Sequence, residues 1–308
     1  MLNLYRRAVL GVAGIDRVER WARRHGWRLG ARRFVAGESA EAALPTLQEL
    51  TRQGRKLVVD VLGEYVTDRG SAEAMAAGVR TTIATLASAG LPPVLSIKPT
   101  QLGLAFDAEL ASDLAIELAH LAETADGRVC LDMEDHRFVD RTLVLVDQLW
   151  RSGAHRSSTV LQAYLHRTPA DLEALLRDAP AGCELRIVKG AYHESPAVAL
   201  HDLAVIRRTF LALCERAWQL GAKVNVATHD DGLIREAAAF VRGARLDTDR
   251  YELQLLYGVR PKLQQRLVDD GHPVRLYVPV GADWYGYFSR RLAERPANAA
   301  VVLRGIFG

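Results

Sequence analysis

Apolar and β-branched residues gather in eight short runs along the chain, separated by longer stretches with helical spacing. The runs are Leu57–Glu64, Pro93–Thr100, Arg128–Asp135 and Ser158–Leu165, then Cys183–Ala191, Lys223–Asp230, Arg250–Gly258 and Val274–Gly281. Their starts lie 24 to 40 residues apart, close to the ~30 residues that one strand–helix unit consumes. Between them, Ser71–Ala89, Asp107–Thr124, Pro169–Arg177 and Ala197–Leu220 carry helix formers in a helical pattern. Strand then helix, eight times over, predicts an α/β chain: a parallel sheet closed into a (β/α)8 barrel with helices outside. The segment before the first run reads as two or three short helices. The expected organisation is a basic helical arm over residues 1–45, a catalytic barrel over 46–308, and a last helix lying over the active site.

Polar residues fall where such a barrel needs them. Most runs begin apolar and acquire charged or hydrogen-bonding groups toward their ends: Lys98 after Leu95-Ser96-Ile97, Asp132 and Glu134 after Cys130-Leu131, Gln162 after Val160-Leu161, and Thr228-His229 after Asn225-Val226-Ala227. The C-terminal ends of the strands are where (β/α)8 barrels build their active sites.

Composition adds exclusions. Apolar residues are 49% and charged residues 25% of the 308, a mixture that disfavours disorder. The longest nearly uncharged stretch near the start, Ala8–Ile15, is far shorter than the ~20 residues of a membrane span; no signal-peptide cleavage pattern follows it. Cys130, Cys183 and Cys214 are widely spaced with no C-x-x-C pair, which suits a reducing cytoplasm. Net charge is +3, but residues 1–35 hold nine arginines against Asp16 and Glu19. That leaves two readings of the arm: a solvated amphipathic element packed on the body, or a peripheral contact with an anionic membrane at the inner face of the cell. In the second, Leu2, Leu4, Val9, Leu10, Ile15 and Trp21 serve as apolar anchors. No basic stripe continues into the body, so nucleic acid is not expected.

The common cofactor signatures are absent: no G-x-G-x-x-G, no Walker P-loop, no H-E-x-x-H, no G-x-S-x-G, and no metal-ligand spacing among the histidines. The last helix is more informative. Tyr287, Arg290, Arg291 and Glu294 fall at i, i+3, i+4 and i+7 of Trp284–Glu294, one helical face. Two adjacent guanidinium groups there suit a small carboxylate, with Glu294 holding them in place, or form a solvated charge run. Lys98 admits three readings: a Schiff-base lysine, a cationic substrate contact, or an exposed strand-end lysine. Asp132, Glu134 and Asp135 offer acid–base carboxylates or loop solvation. Arg186, between Leu185 and Ile187, points to the barrel interior or the helices, and burying it requires an anion or acceptors.

Seven segments taken together resemble the proline dehydrogenase family, flavin-dependent enzymes of the first step of proline catabolism. They are LSIKPTQLG (95–103), LDMED (131–135), LQAYL (161–165), LRIVKGAY (185–192), VATHD (226–230), YVPVG (277–281) and YFSRRLAE (287–294). The length resembles a monofunctional bacterial member, without the aldehyde dehydrogenase that larger relatives append. The resemblance implies oxidation of L-proline to 1-pyrroline-5-carboxylate by hydride transfer to N5 of FAD. Electrons then pass to a membrane quinone, and a separate aldehyde dehydrogenase acts on the product. By the same resemblance, Lys98, Arg290 and Arg291 bind the substrate carboxylate, Tyr277 and Tyr287 flank its ring, and Asp132 and Arg186 are active-site residues. FAD is held by Met133, Gln162, Val188, Lys189, Gly190, Ala191, Thr228 and His229, and Glu294 orients the arginine pair. No metal is expected. Asp230 replaces the asparagine that often follows ATH in the family, and His193 occupies a variable position. The competing enzyme class is a barrel lyase or aldolase using Lys98 as a Schiff base.

Overall fold

A computed structural model of the chain describes residues 15–25, 27, 30–63 and 66–294, together with Tyr5, Val9, Gly11 and Ala13. Helices α1 (Asp16–His25) and α2 (Ala40–Arg52) precede the sheet among the described residues. The strands are β1 (Lys56–Val61), β2 (Val94–Ile97), β3 (Arg128–Leu131), β4 (Ser158–Gln162), β5 (Glu184–Val188), β6 (Lys223–Ala227), β7 (Tyr251–Leu256) and β8 (Val274–Val280). Alternating with them are α3 (Arg69–Ser88), α4 (Ala108–Thr124), α5 (Val139–Arg151), α6 (Thr168–Arg177), α7 (Leu203–Gln219), α8 (Asp231–Gly243), α9 (Pro261–Asp269) and α10 (Trp284–Glu294). Neighbouring strands pair in parallel in the order β1 to β8, and β8 closes on β1 from Lys56↔Arg275 to Val61↔Val280. The expected barrel is present, and each of the eight apolar runs coincides with one strand, β1 starting one residue early at Lys56 and Glu64 of the first run lying outside the described residues.

Local chemistry sets the helix starts. Ser39, Asp68, Asp107, Asp202 and Asp230 each place a side-chain oxygen on an amide of the next turn, which satisfies donors that a helix start leaves orphaned. The expected helix Ala197–Leu220 begins later, at Leu203. Residues before it are held elsewhere: the His166 amide donates to Val198, the Leu200 amide donates to Tyr164, and Leu165 bridges Ala199. Helix α2 runs through residue 45, the position that divides arm from barrel in the sequence reading.

Strand alternation separates two interiors. Val59, Leu95, Ile97, Val129, Leu131, Leu161, Leu185, Ile187, Val224, Val226, Leu253, Leu276 and Val278 point outward into one apolar core shared with the helices. Their neighbours point inward, and that face is polar: Asp60, Ser96, Arg186, Asn225, Glu252, Gln254 and Arg275 are all buried. At the N-terminal end of the barrel, Glu184 receives Arg128 at 3.0 Å, Lys223 at 3.1 Å and the Asn225 amide at 2.6 Å. Glu252 receives Arg275 in a two-pronged contact at 2.5 and 3.1 Å, with Lys56 at 3.6 Å. Such paired charges are tolerated inside a protein because each is compensated. Among the described residues no helix is long and apolar enough to cross a membrane.

The floor makes stability depend on acid. Burial opposes the Glu184 carboxylate, but the cations of Arg128, Lys223 and Arg275 outweigh it and hold the group at about 2. A carboxyl depressed in the folded state contributes stability that is complete above its unfolded value and is lost as pH falls through the folded one. The stability advantage of wild type over Glu184→Gln, read from urea unfolding, should therefore shrink by about 2–3 kcal/mol between pH 5 and pH 2. A difference that stays constant with pH would contradict this.

Candidate active site

At the C-terminal end of the barrel the polar inward face becomes one connected group. Asp132, the residue after β3, accepts from Ser96 Oγ at 2.5 Å and from Arg186 Nη1 at 2.6 Å through Oδ1. Its Oδ2 accepts from the Tyr277 hydroxyl at 2.8 Å. Arg186 also donates Nη1 to Ser96 Oγ at 3.0 Å and Nε to Gln254 Oε1 at 2.7 Å, and its guanidinium lies 5.3 Å from the Tyr277 ring centre. Strands β2, β3, β5, β7 and β8 thus converge on one charge pair.

Lys98, one residue past β2, is buried, and its ammonium stands 3.3 Å from Asp60 Oδ1. Register places Asp60 of β1 beside Ser96 of β2. Burial pushes the Asp60 carboxyl up, an effect that the Lys98 charge opposes, and its Oδ2 has no hydrogen bond among the described residues. The Tyr277 hydroxyl is pushed well up, first by burial and then by the Asp132 and Asp60 carboxylates. For Arg186, burial works against the charge, but Cys130, Asp132 and Tyr277 around it prevail and the net direction is upward. The guanidinium is a permanent buried cation.

The three carboxylates of the LDMED segment separate by role. Asp132 faces the barrel interior. Glu134 accepts from the Thr100 amide and hydroxyl at 2.9 and 2.7 Å and so ties the β3 loop to the β2 loop. Asp135 caps the next turn and pairs with Arg137 at 2.6 Å. Asp135, His136 and Glu194 bring ligand atoms within 4.8 Å of one another. However, Arg137 occupies the first, and His136 Nδ1 lies 2.6 Å from the Glu194 carboxylate.

The remaining sequence candidates ring the same mouth. Gln162 ends β4 and donates to the Glu134 carbonyl at 2.8 Å; Met133 is buried. Val188 ends β5, and Lys189, Gly190 and Ala191 follow it. Gly190 has φ +117°, and a Cβ there would sit 2.1 Å from the Tyr164 ring, so the loop requires glycine. Thr228 and His229 follow β6. The Thr228 hydroxyl accepts from the Asp230 amide at 3.2 Å, and His229 Nε2 accepts from the Leu256 amide at 3.1 Å. Asp230 caps α8 and pairs with Arg207 and with Lys189, the latter at 3.4 Å. Burial opposes its charge, but these partners hold the carboxyl below its ordinary value; an asparagine there would lack that pairing. His193 is exposed.

Helix α10 follows β8 and carries Tyr287, Arg290 and Arg291, with Arg291 5.0 Å from the Tyr287 ring centre. The Glu294 side chain lies outside the described residues. The helix is held from behind by the N-terminal segment: Trp27 packs on Trp284, Phe34 packs on Phe288, and Trp284 Nε1 donates to Glu38 at 3.2 Å. Sequence reasoning missed Asp60, Ser96 and Gln254. The available signal was parity: each is a polar residue flanked by aliphatic ones at an inward position of its strand.

A family model described as proline dehydrogenase matches residues 43–304 of the chain. A proline dehydrogenase of Deinococcus radiodurans is 41% identical over 312 residues, covering 99% of this chain and 98% of that one. Proline dehydrogenase 1 of Bacillus subtilis strain 168 is 39% identical over 287 residues, covering 93% and 94%. Among solved structures, proline utilization A from Bdellovibrio bacteriovorus, inactivated by N-propargylglycine, superposes with a TM-score of 0.78 at 22% identity. The match covers 85% of this chain and 32% of that longer one, and it supports the barrel fold.

Tyr277→Phe removes the hydroxyl from Asp132 Oδ2 and leaves the ring over Arg186. The loss of a hydrogen bond to a charged acceptor should lower the unfolding free energy by about 1.5–3 kcal/mol in urea titration. Unchanged stability would mean that Asp132 is held adequately by Arg186 and Ser96 alone.

Proposed function

The chain belongs to the proline dehydrogenase family, and on that footing we propose that it oxidises L-proline to 1-pyrroline-5-carboxylate with FAD as the electron acceptor. The observation that carries this reading is the mouth itself. A buried cation–carboxylate pair, two tyrosines and three further cations are arranged on strand ends and on the helix that follows β8.

The residues divide the work. Lys98, Arg290 and Arg291 are three cations suited to one small carboxylate, and fixing that carboxylate orients the ring behind it. Tyr277 and Tyr287 offer flat faces on either side of a five-membered ring. Asp132 and Arg186 sit beneath, held by Ser96, Gln254 and Tyr277. The donor set fits a flavin: Arg186 and the amide of Gln162 would offer donors to an acceptor-rich ring, and the cationic Lys189 with the β5 and β6 loops would suit a pyrophosphate. Val188, Gly190, Ala191, Met133, Thr228 and His229 would complete that cradle. Bound there, FAD would take a hydride from the carbon beside the proline nitrogen. Glu294, at the end of α10, is proposed to orient the arginine pair. The lyase alternative needs Lys98 as a neutral nucleophile, and its 3.3 Å pairing with Asp60 favours a fixed cation instead.

Two further assignments rest on the arm. We take residues 1–45 as a unit apart from the barrel of 46–308. Its α1 region leaves Ile15 and Trp21 about half exposed, at 50% and 51%, a pattern suited to an anionic bilayer surface from which a membrane quinone receives the electrons. A separate aldehyde dehydrogenase would consume the product.

Anaerobic L-proline should bleach the flavin band of the purified protein, whereas D-proline should not. In the same assay Arg290→Ala should raise the L-proline KM by about 30-fold or more, the 2 kcal/mol floor for a desolvated charge partner. A colourless protein that takes up no FAD would overturn the proposal. For the arm, replacing Ile15 and Trp21 together with serine should lower co-sedimentation with anionic vesicles; undiminished binding would remove the membrane role.

A further inference from the structure

One contact beneath the mouth does more than fill space. Gln254 lies on the inward face of β7, 4% exposed, between two charged groups that both constrain it. Its Oε1 accepts from Arg186 Nε at 2.7 Å, and its Nε2 donates to Glu252 Oε1 at 3.2 Å. Arginine offers only donors and a carboxylate only acceptors, so the amide has one permitted orientation. Glu252, fully buried, is itself fixed by two bonds from Arg275, and Arg275 Nη1 donates to the Leu57 carbonyl at 2.5 Å.

We propose that Gln254 is a positioning residue: its amide, locked by Glu252, aims the Arg186 guanidinium at the barrel mouth. With Nε committed to Gln254 and both Nη1 hydrogens committed to Ser96 and Asp132, Nη2 makes no hydrogen bond among the described residues. That amine is the one left for a ligand. Without the Nε anchor the guanidinium is free to turn and pair Asp132 through Nη2, which withdraws the available donor. Gln254 acts only through Arg186, and the inference rests on the proposed flavin-dependent oxidation of proline.

The test uses the FAD-loaded full chain as wild type, Gln254→Met and Gln254→Glu. Methionine keeps the volume and loses the acceptor; glutamate keeps an acceptor for Nε and, with one proton shared between its carboxyl and that of Glu252, keeps the lock as well. The methionine variant should lose about tenfold in kcat with KM for L-proline within about threefold. Its flavin should shift about tenfold toward the oxidised form in a redox titration, about 30 mV for two electrons. The glutamate variant should recover kcat to within about threefold of wild type. A role in packing alone predicts methionine near wild type in both kcat and potential, and that result overturns the proposal. If the methionine variant does not fold, the glutamate variant decides: kcat lowered more than about tenfold overturns it. Wild type that binds no flavin would overturn the underlying function, and this inference with it. A reducible wild type whose potential and kcat are untouched by Gln254→Met would overturn the inference alone.

Discussion

The ion pair between Arg186 and Asp132 is the interaction on which the mouth of this barrel depends. A guanidinium on the inward face of β5 is largely removed from water and exists there only if anions and acceptors come to it. Asp132 supplies the charge at 2.6 Å, Gln254 and Ser96 supply acceptors, and the Tyr277 ring covers the cation at 5.3 Å. Each partner comes from a different strand. The pair therefore fixes strand ends relative to one another, and a binding site needs the same rigidity.

The polar interior follows from the same constraint. In this barrel the aliphatic core lies between sheet and helices, where the outward residues of every strand meet α-helical side chains. The inside is a column of compensated charge, from Glu184 and Glu252 with their cations at the floor to Arg186 and Lys98 at the mouth. A continuous set of hydrogen bonds links floor and mouth: Arg275 and Gln254 both donate to Glu252, and Arg186 donates to Gln254 on one side and to Asp132 on the other. Reorganising such a column requires several buried groups to move together. That rigidity suits a site that must hold a small substrate and a cofactor in one relative geometry.

Much of this was legible along the chain because two periodicities coincide. Strand-like runs recur at the interval of a strand–helix unit, and polar residues collect at the ends of those runs; the barrel and the location of its mouth follow. Lys98 and Asp132 stood out at the ends of apolar runs, and Arg186 because a charge between aliphatic neighbours is costly, whereas Tyr277 entered through the family resemblance alone. Asp60, Ser96 and Gln254 did not stand out, since a polar residue inside a short strand gives no hint of which other strand carries its partner. The pairing of residues 198–200 with the β4–α6 loop was equally hidden: nothing in residues 197–202 forbids a helix, and a tertiary contact diverts it. The support that α10 receives from Trp27 and Phe34 is likewise long-range. What a local pattern cannot encode is the partner across the barrel.

A double-mutant cycle on Arg186 and Asp132, with Arg186→Met, Asp132→Ala and the double variant compared by urea unfolding, tests the central claim most directly. If the pair organises the mouth, either single change leaves an uncompensated buried group. Their effects should then be non-additive, with a coupling of about 3 kcal/mol. Additivity within about 0.5 kcal/mol would mean that the two residues are held independently and that the keystone lies elsewhere.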